Sequence, residues 1–246
     1  MRVFIELSYD GTHYHGWQRQ PVSYTVQQVI EEALERLCGT KTAIVGCGRT
    51  DAEVHASYYV AHCDIPTLAE AQRYDSLDQL TFKLNGLLND DVAIKCVTEV
   101  SEKAHARFDA SDRSYTYLIH TIKNPFFSGR SARVFGELDV EAMRMAALHL
   151  IFQGDFAAFC KTGTDVKTTI CDVRKLEIFE DELNGQIRIE ISADRYLAIW
   201  CVPLWVPCLM LGEVSCANQI SKILLLLVTA HVLGVPLLVV ACTFRV

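Results

Sequence analysis

Glycine and proline are scarce, 13 and 6 in 246 residues, which excludes a collagen-like or linker-rich chain. The ten cysteines include no CxxC pair and scatter from Cys38 to Cys242, so neither a zinc site nor a disulfide scaffold is expected. The first six read as small, mostly buried thiols of a cytosolic protein. No Walker loop, dinucleotide-binding glycine fingerprint or nucleophile elbow is present. Nor is there an N-terminal apolar stretch of signal-peptide type, because Glu6 interrupts it too soon. Charged residues at 22% and apolar residues at 50% exclude disorder and leave enough side chains for a real core. A net charge of −7 weighs weakly against nucleic-acid binding, since phosphate contacts need Lys and Arg, but a local basic groove is compatible with an acidic remainder.

Charge itself runs out near residue 197. Residues 1–197 hold 21 of the 23 basic and 29 of the 30 acidic side chains. From Ala198 onward only Glu213, Lys222 and Arg245 are charged, and this stretch carries four of the ten Cys and two of the three Trp.

Before that point the pattern is mixed α and β. Val3, Ile5, Leu7 and Tyr9 alternate with polar residues up to the Asp10-Gly11 turn, as in a half-buried strand. Thr25-Val26-Gln27-Gln28 is a capping box opening a helix with Val26, Ile30, Ala33, Leu34 and Leu37 on one face, ended by Gly39. Ser76 opens a second helix with Leu80, Leu84, Leu87 and Leu88 inward, and a third is expected from about Val140 to Phe152. Ala43–Val45, Val92–Val97, Tyr115–Ile119, Lys175–Phe179 and Ile187–Ile191 read as strands, the last two as a hairpin around Asn184-Gly185. Interspersed helices and hairpin signals favour an α+β fold with a largely antiparallel sheet and flanking helices.

Four segments carry candidate chemistry. Tyr9 to Gln20 packs two His, two Tyr, Trp17, Gln18 and Arg19 into twelve residues, a composition suited to a stacking and hydrogen-bonding surface for bases. Gly46 to Ala56 places Arg49, Thr50 and Asp51 on a loop after a short strand, where a carboxylate beside an arginine can serve as a nucleophile. His55 and His62 are too far apart for a metal-site signature. His105 to Tyr117 leads Arg107 and Arg113 into a strand with alternating tyrosines, Tyr115 and Tyr117. Gly154 to Phe159 follows a helix and reads as structural. Spacing alone points to a nucleic-acid or carbohydrate site around Asp51.

Taken together, the segments resemble the tRNA pseudouridine synthase A family: YDG with GWQRQ, TVQ opening a helix, GRTDAEVHA at residues 48–56, HARF followed by R-x-Y-x-Y, and a DF-x-x-F loop, in order over residues 1–197. The resemblance implies isomerisation of uridine to pseudouridine at positions 38 to 40 of the tRNA anticodon stem-loop, with no cofactor and no metal. It implies a cytoplasmic homodimer of two α/β halves around a central RNA-binding cleft, here 1–104 and 105–197, with 198–246 as an aberrant tail. The family's catalytic aspartate falls on Asp51, its partner arginine on Arg49 and its active-site tyrosine on Tyr115. Trp17, Gln18, Arg19, Thr50, His55, Arg107 and Arg113 are expected to contact the RNA.

Two departures stand out. Glu53 occupies a position that is glycine in the family, and a positive φ there would cost about 1 kcal/mol of strain while adding negative charge near the phosphate path. After Leu197 the chain stops following the family, and as printed it lacks the family's basic segment and closing strand. Codons for Ala198–Pro207 read one base earlier permit RNMVRAIVGT, and the same shift over His231–Phe244 permits RAGSSAPGRGLYL, both family-like. These two matches point to a single-base frameshift near codon 197. Rival readings take the tail at face value: a catalytically impaired RNA-binding remnant, or a membrane anchor through the uncharged stretch Ile223–Phe244. Sequencing the locus together with intact protein mass decides the matter. A restored family-like frame is the expected outcome, and an uninterrupted printed frame with matching mass contradicts it.

Overall fold

The computed structural model describes residues 1–127, 129–136, 138–156, 168–195 and 238–244, the last by backbone. By its contacts the chain divides into Met1–Ser111 with Leu238–Val246, and Asp112–Leu237.

The first unit is built on strand β1 (Arg2–Tyr9), whose Val3, Ile5, Leu7 and Tyr9 point inward as the alternation predicts. Strands β3 (His55–Asp64) and β4 (Val92–Glu99) flank it, both antiparallel, and β2 (Val45–Gly46) pairs β3. Helix α1 (Val26–Cys38) begins where Thr25 accepts from the Gln28 N–H, and stops where Gly39 turns left-handed at φ 75. The capping box is half formed, because the Gln28 side chain reaches Glu32 instead. Its inward face is Val26, Val29, Ile30, Ala33 and Leu34. Helix α2 (Leu77–Leu87) starts at Ser76 and buries Leu80 and Leu84, but Leu87 is exposed, contrary to expectation. The Asn85 amide ties this helix to β4, donating to Ile94 O and accepting from Ile94 N–H, both at 2.8 Å.

The second unit holds β5 (Ala110–His120, entered from the first unit), β8 (Ile170–Asp181) and β9 (Gln186–Ala193), with β9 antiparallel to both others. Two short strands complete it: β6 (Ala132–Arg133) parallel to β5 and β7 (Gln153–Asp155) antiparallel to β8. The β8–β9 turn carries Gly185 at φ 57, where the Asn-Gly signal places it. Helix α3 (Val140–Leu148) is four residues shorter than expected, since His149 caps it and Gln153 enters β7.

The architecture is α+β with largely antiparallel pairing, as the sequence predicts. Two differences matter. β3 is not legible from periodicity, because it is buried on both faces over most of its length and so lacks polar alternation. Leu238–Phe244 forms a strand, β10, paired parallel to β3 at Leu238↔His55 and Val239↔Ala56, where the printed sequence promised no closing strand. The remainder of the tail, most of the candidate span Ile223–Phe244, and residues 157–159 of the fourth segment lie outside the described residues. Among the described residues no helix is long and apolar enough to cross a membrane.

A pH dependence follows from His62. Its ring is buried, and Nδ1 accepts from the Ala106 N–H at 3.1 Å, which requires an unprotonated nitrogen. Burial first, then the nearby His105 and Arg2, hold its pKa below the ordinary 6.5. The unfolded chain therefore binds a proton that the folded one refuses: stability is full above 6.5 and lost as pH falls through and below it. Denaturant melts at pH about 7.5 and about 5.5 are expected to show this loss, and to show less of it in His62→Gln. Equal pH dependence in both proteins would remove His62 as the cause.

Candidate active site

Asp51 lies on the loop between β2 and β3, and a second segment, residues 10–17, holds that loop from the side. After β1 the chain turns at Asp10, whose carboxylate accepts from Thr12 N–H, and enters a short 3-10 turn over Gly11–His13. From there it runs against the loop. The Trp17 N–H donates to Thr50 O at 3.1 Å, and the Glu53 N–H donates to Tyr14 O at 3.2 Å. The Gly11 N–H donates to His55 Nδ1 at 3.1 Å.

The approach is close enough to require glycine twice. A Cβ on Gly11 would stand 2.1 Å from Val54 O, and one on Gly16, at φ 83, would stand 2.4 Å from Thr50 O. This gives the YDG and GWQ motifs a physical reason: their glycines let one backbone lie on another.

Beneath the loop sits an aromatic cluster. The Trp17 ring packs on Tyr59 with centroids 4.2 Å apart, and Tyr9 meets Tyr59 edge-on at 5.6 Å. The Tyr59 hydroxyl donates to Gly48 O, and the hydroxyls of Tyr9 and Thr50 are 2.8 Å apart. Tyr14 donates to Asp91 at 2.7 Å; burial and that carboxylate push its pKa up, so the bond keeps its proton across the working range.

Helix α1 is tied to the same place. The Val26 and Gln27 N–H groups donate to Gly16 O and Trp17 O, which satisfies donors at the helix start. The Glu31 carboxylate, 9% exposed, accepts from Arg19 Nη1 at 2.8 Å, Gln27 Nε2 at 2.9 Å and the Ile44 N–H at 3.1 Å. Gln27 also donates to Ile44 O at 3.1 Å. One buried charge with three donors thus joins the GWQRQ segment, the helix and the chain entering the Asp51 loop.

The expected site residues divide accordingly. Asp51, Arg49, Gln18, Arg19 and Arg107 are exposed, and Thr50 is half-buried with its hydroxyl beside Tyr9. Trp17 at 3% exposure and His55 at 8% are buried beside the loop, where the Trp17 ring and backbone and the His55 ring help to hold it. Arg19 spends its guanidinium on Glu31. Tyr115 and Arg113 belong to the second unit, on β5, where both are half-buried; Tyr115 pairs with Ile191 and Arg113 donates to Asp194 O at 2.6 Å. Sequence reading missed Tyr59, Gln27 and Glu31. The spacing of Gln27 and Glu31, four apart on one helix face, was the available signal; Tyr59 gave none beyond its place in a Tyr-Tyr-Val run. Glu53 adopts φ 64, the only positive value at a non-glycine among the described residues, and the anticipated strain of about 1 kcal/mol applies. Among the described residues no group of three or more His, Cys, Asp or Glu is placed to hold a metal.

Chemically, the loop offers an exposed carboxylate and an exposed guanidinium two residues apart, on a backbone fixed by hydrogen bonds on one side and by rings below. Such a carboxylate can act as nucleophile or base toward a substrate brought to it.

The family model for tRNA pseudouridine synthase matches residues 7–109, a span that contains the loop, the clamping segment and α1. The tRNA pseudouridine synthase A of Bacteroides fragilis is 45% identical over 197 residues, covering 80% of this chain and 75% of that protein. That of Porphyromonas gingivalis is 43% identical over 198 residues, covering 80% and 76%. Among solved structures, a chain of a Cbf5-Nop10-Gar1 complex is matched at TM-score 0.38 and 11% identity over 96% of this chain and 46% of that one, a likeness too loose to carry weight. With relatives this similar over three quarters of their own length, the chain belongs to the tRNA pseudouridine synthase A family.

Proposed function

We propose that this chain is a tRNA-modifying isomerase that converts uridine to pseudouridine at positions 38 to 40 of the anticodon stem-loop, with Asp51 as the catalytic residue. The observation that carries the reading is the exposed Asp51 on a loop whose backbone is fixed at Thr50 and Glu53 by the segment 10–17. In the reaction the uracil leaves the ribose at N1, turns, and rejoins through C5, which gives up its proton while N1 gains one. Asp51 acts on the ribose, by attack or by proton removal, to break the glycosidic bond. The target base must first leave its stack, at a cost of a few kcal/mol. Arg49 holds the displaced base or the vacated space in the helix, and Tyr115 acts as a polar aromatic partner of the base. Trp17, Gln18, Arg19, Thr50, His55, Arg107 and Arg113 form or support the contacts to the RNA, and the enzyme works in the cytoplasm as a homodimer without cofactor or metal.

A second reading has a specific observation in its favour. The strained Glu53 beside Asp51 supports an RNA-binding remnant that no longer turns over.

Pseudouridine mapping on an unmodified tRNA with U at positions 38 to 40 tests both. Wild type is expected to form product, with Asp51→Ala lower by at least about three orders of magnitude. Product from Asp51→Ala at the wild-type rate contradicts the assignment; tight tRNA binding without product from either protein selects the remnant. A second variant tests positioning. Gly16→Ala would set a methyl against Thr50 O, and is expected to reduce turnover by about a hundredfold through displacement of the loop. Unchanged turnover would detach the 10–17 segment from catalysis.

A further inference from the structure

Glu53 holds a backbone conformation that nearly every other side chain avoids, and it does so two residues after Asp51. Strain of this kind persists only where neighbouring structure over-determines it. Here the neighbours are explicit. The Glu53 N–H is bonded to Tyr14 O, and the Val54 N–H to Asp51 O at 3.4 Å. Val54 is 4% exposed, with its carbonyl against Gly11. The loop therefore cannot relax by returning φ to negative values without breaking the clamp. The Glu53 side chain is exposed, as are those of Asp51 and Ala52. A short, fixed stretch thus carries one guanidinium, Arg49, and two carboxylates to solvent.

An RNA laid over this stretch brings phosphates, each a full negative charge. A carboxylate fixed there repels any phosphate that approaches it, and a single like-charge contact at about 7 Å in a water-like medium changes affinity by about threefold. Salt screens the effect once the Debye length falls to about that distance, as it does at about 200 mM. An RNA that reaches Asp51 with a base and ribose, keeping its phosphates off residue 53, escapes the penalty. One that lies flat across the loop does not.

We infer that Glu53 is a specificity-determining residue: its carboxylate penalises RNA that binds across the Asp51 loop by its backbone, and so raises discrimination in favour of RNA that delivers a nucleotide into the loop. This rests on the reading of Asp51 as the reaction centre.

The test separates charge from backbone strain. Glu53→Gln removes the charge and keeps the strained conformation, whereas Glu53→Gly removes both. Binding of an unmodified tRNA and of an unrelated hairpin RNA of equal length is measured for the three proteins at about 50 mM and about 200 mM salt. In low salt both variants are expected to tighten on the unrelated hairpin about threefold more than on the tRNA, and the difference is expected to shrink in high salt. A ratio of affinities unchanged in Glu53→Gln overturns the inference, as does a change confined to Glu53→Gly, which would assign the effect to the backbone. Because the readout is binding, it is obtained whether or not product forms. A failure of Asp51 as reaction centre would show instead in product formation by Asp51→Ala.

Discussion

The contact on which the site depends is backbone against backbone. Residues 10–17 lie so close to residues 50–55 that only hydrogen atoms fit at Gly11 and Gly16, and three N–H groups cross between the segments. That contact exists because of what surrounds it. Trp17 and Tyr59 fill the space beneath, Tyr59 donates to Gly48 at the loop entrance, and the start of α1 donates to Gly16 and Trp17. Glu31 then joins Arg19, Gln27 and Ile44, so the clamping segment, the helix and the approach to the loop cannot shift independently. Buried carboxylates are costly unless fully hydrogen-bonded, and this one is satisfied by three donors. The result is a loop that presents Asp51 to solvent while its own backbone is held.

Several features of this arrangement were legible in the sequence for stated physical reasons. Thr25 and Gly39 mark α1 because one side-chain oxygen caps a helix start and one residue without Cβ turns left-handed at its end. The Asn184-Gly185 pair gives the hairpin, and the alternation of Val3, Ile5, Leu7 and Tyr9 gives β1. The strain at Glu53 was conditional on a positive φ, and the φ is 64. The hidden parts follow a pattern. β3 is central, so burial on both faces erases the alternation that would announce it. Composition does not say which side of a loop a ring takes, so the packing of Trp17 on Tyr59, 42 residues later in the chain, is not announced by the sequence. Arg19 is exposed, and composition likewise does not announce that one of its guanidinium nitrogens also holds Glu31. Local signals define elements, whereas the supports of this site come from residues distant in the chain.

The C-terminal segment shows the same division. Its printed letters depart from the family after Leu197, yet Leu238–Phe244, Leu-Val-Val-Ala-Cys-Thr-Phe, is rich in β-branched and apolar residues and pairs with β3 beside His55. A strand forms there because pairing of backbone groups asks little of sequence beyond β propensity. Membership in the family rests on the relatives' similarity over 80% of the chain.

Hydrogen exchange of the amides of Gly11, Trp17 and Glu53, resolved by NMR, tests most directly whether the 10–17 segment clamps the Asp51 loop. All three donate across the contact, so the account predicts slow exchange for each, with protection lost together when the contact opens. Exchange at the rate of an open loop for Trp17 and Glu53, with β1 amides still protected, would contradict it.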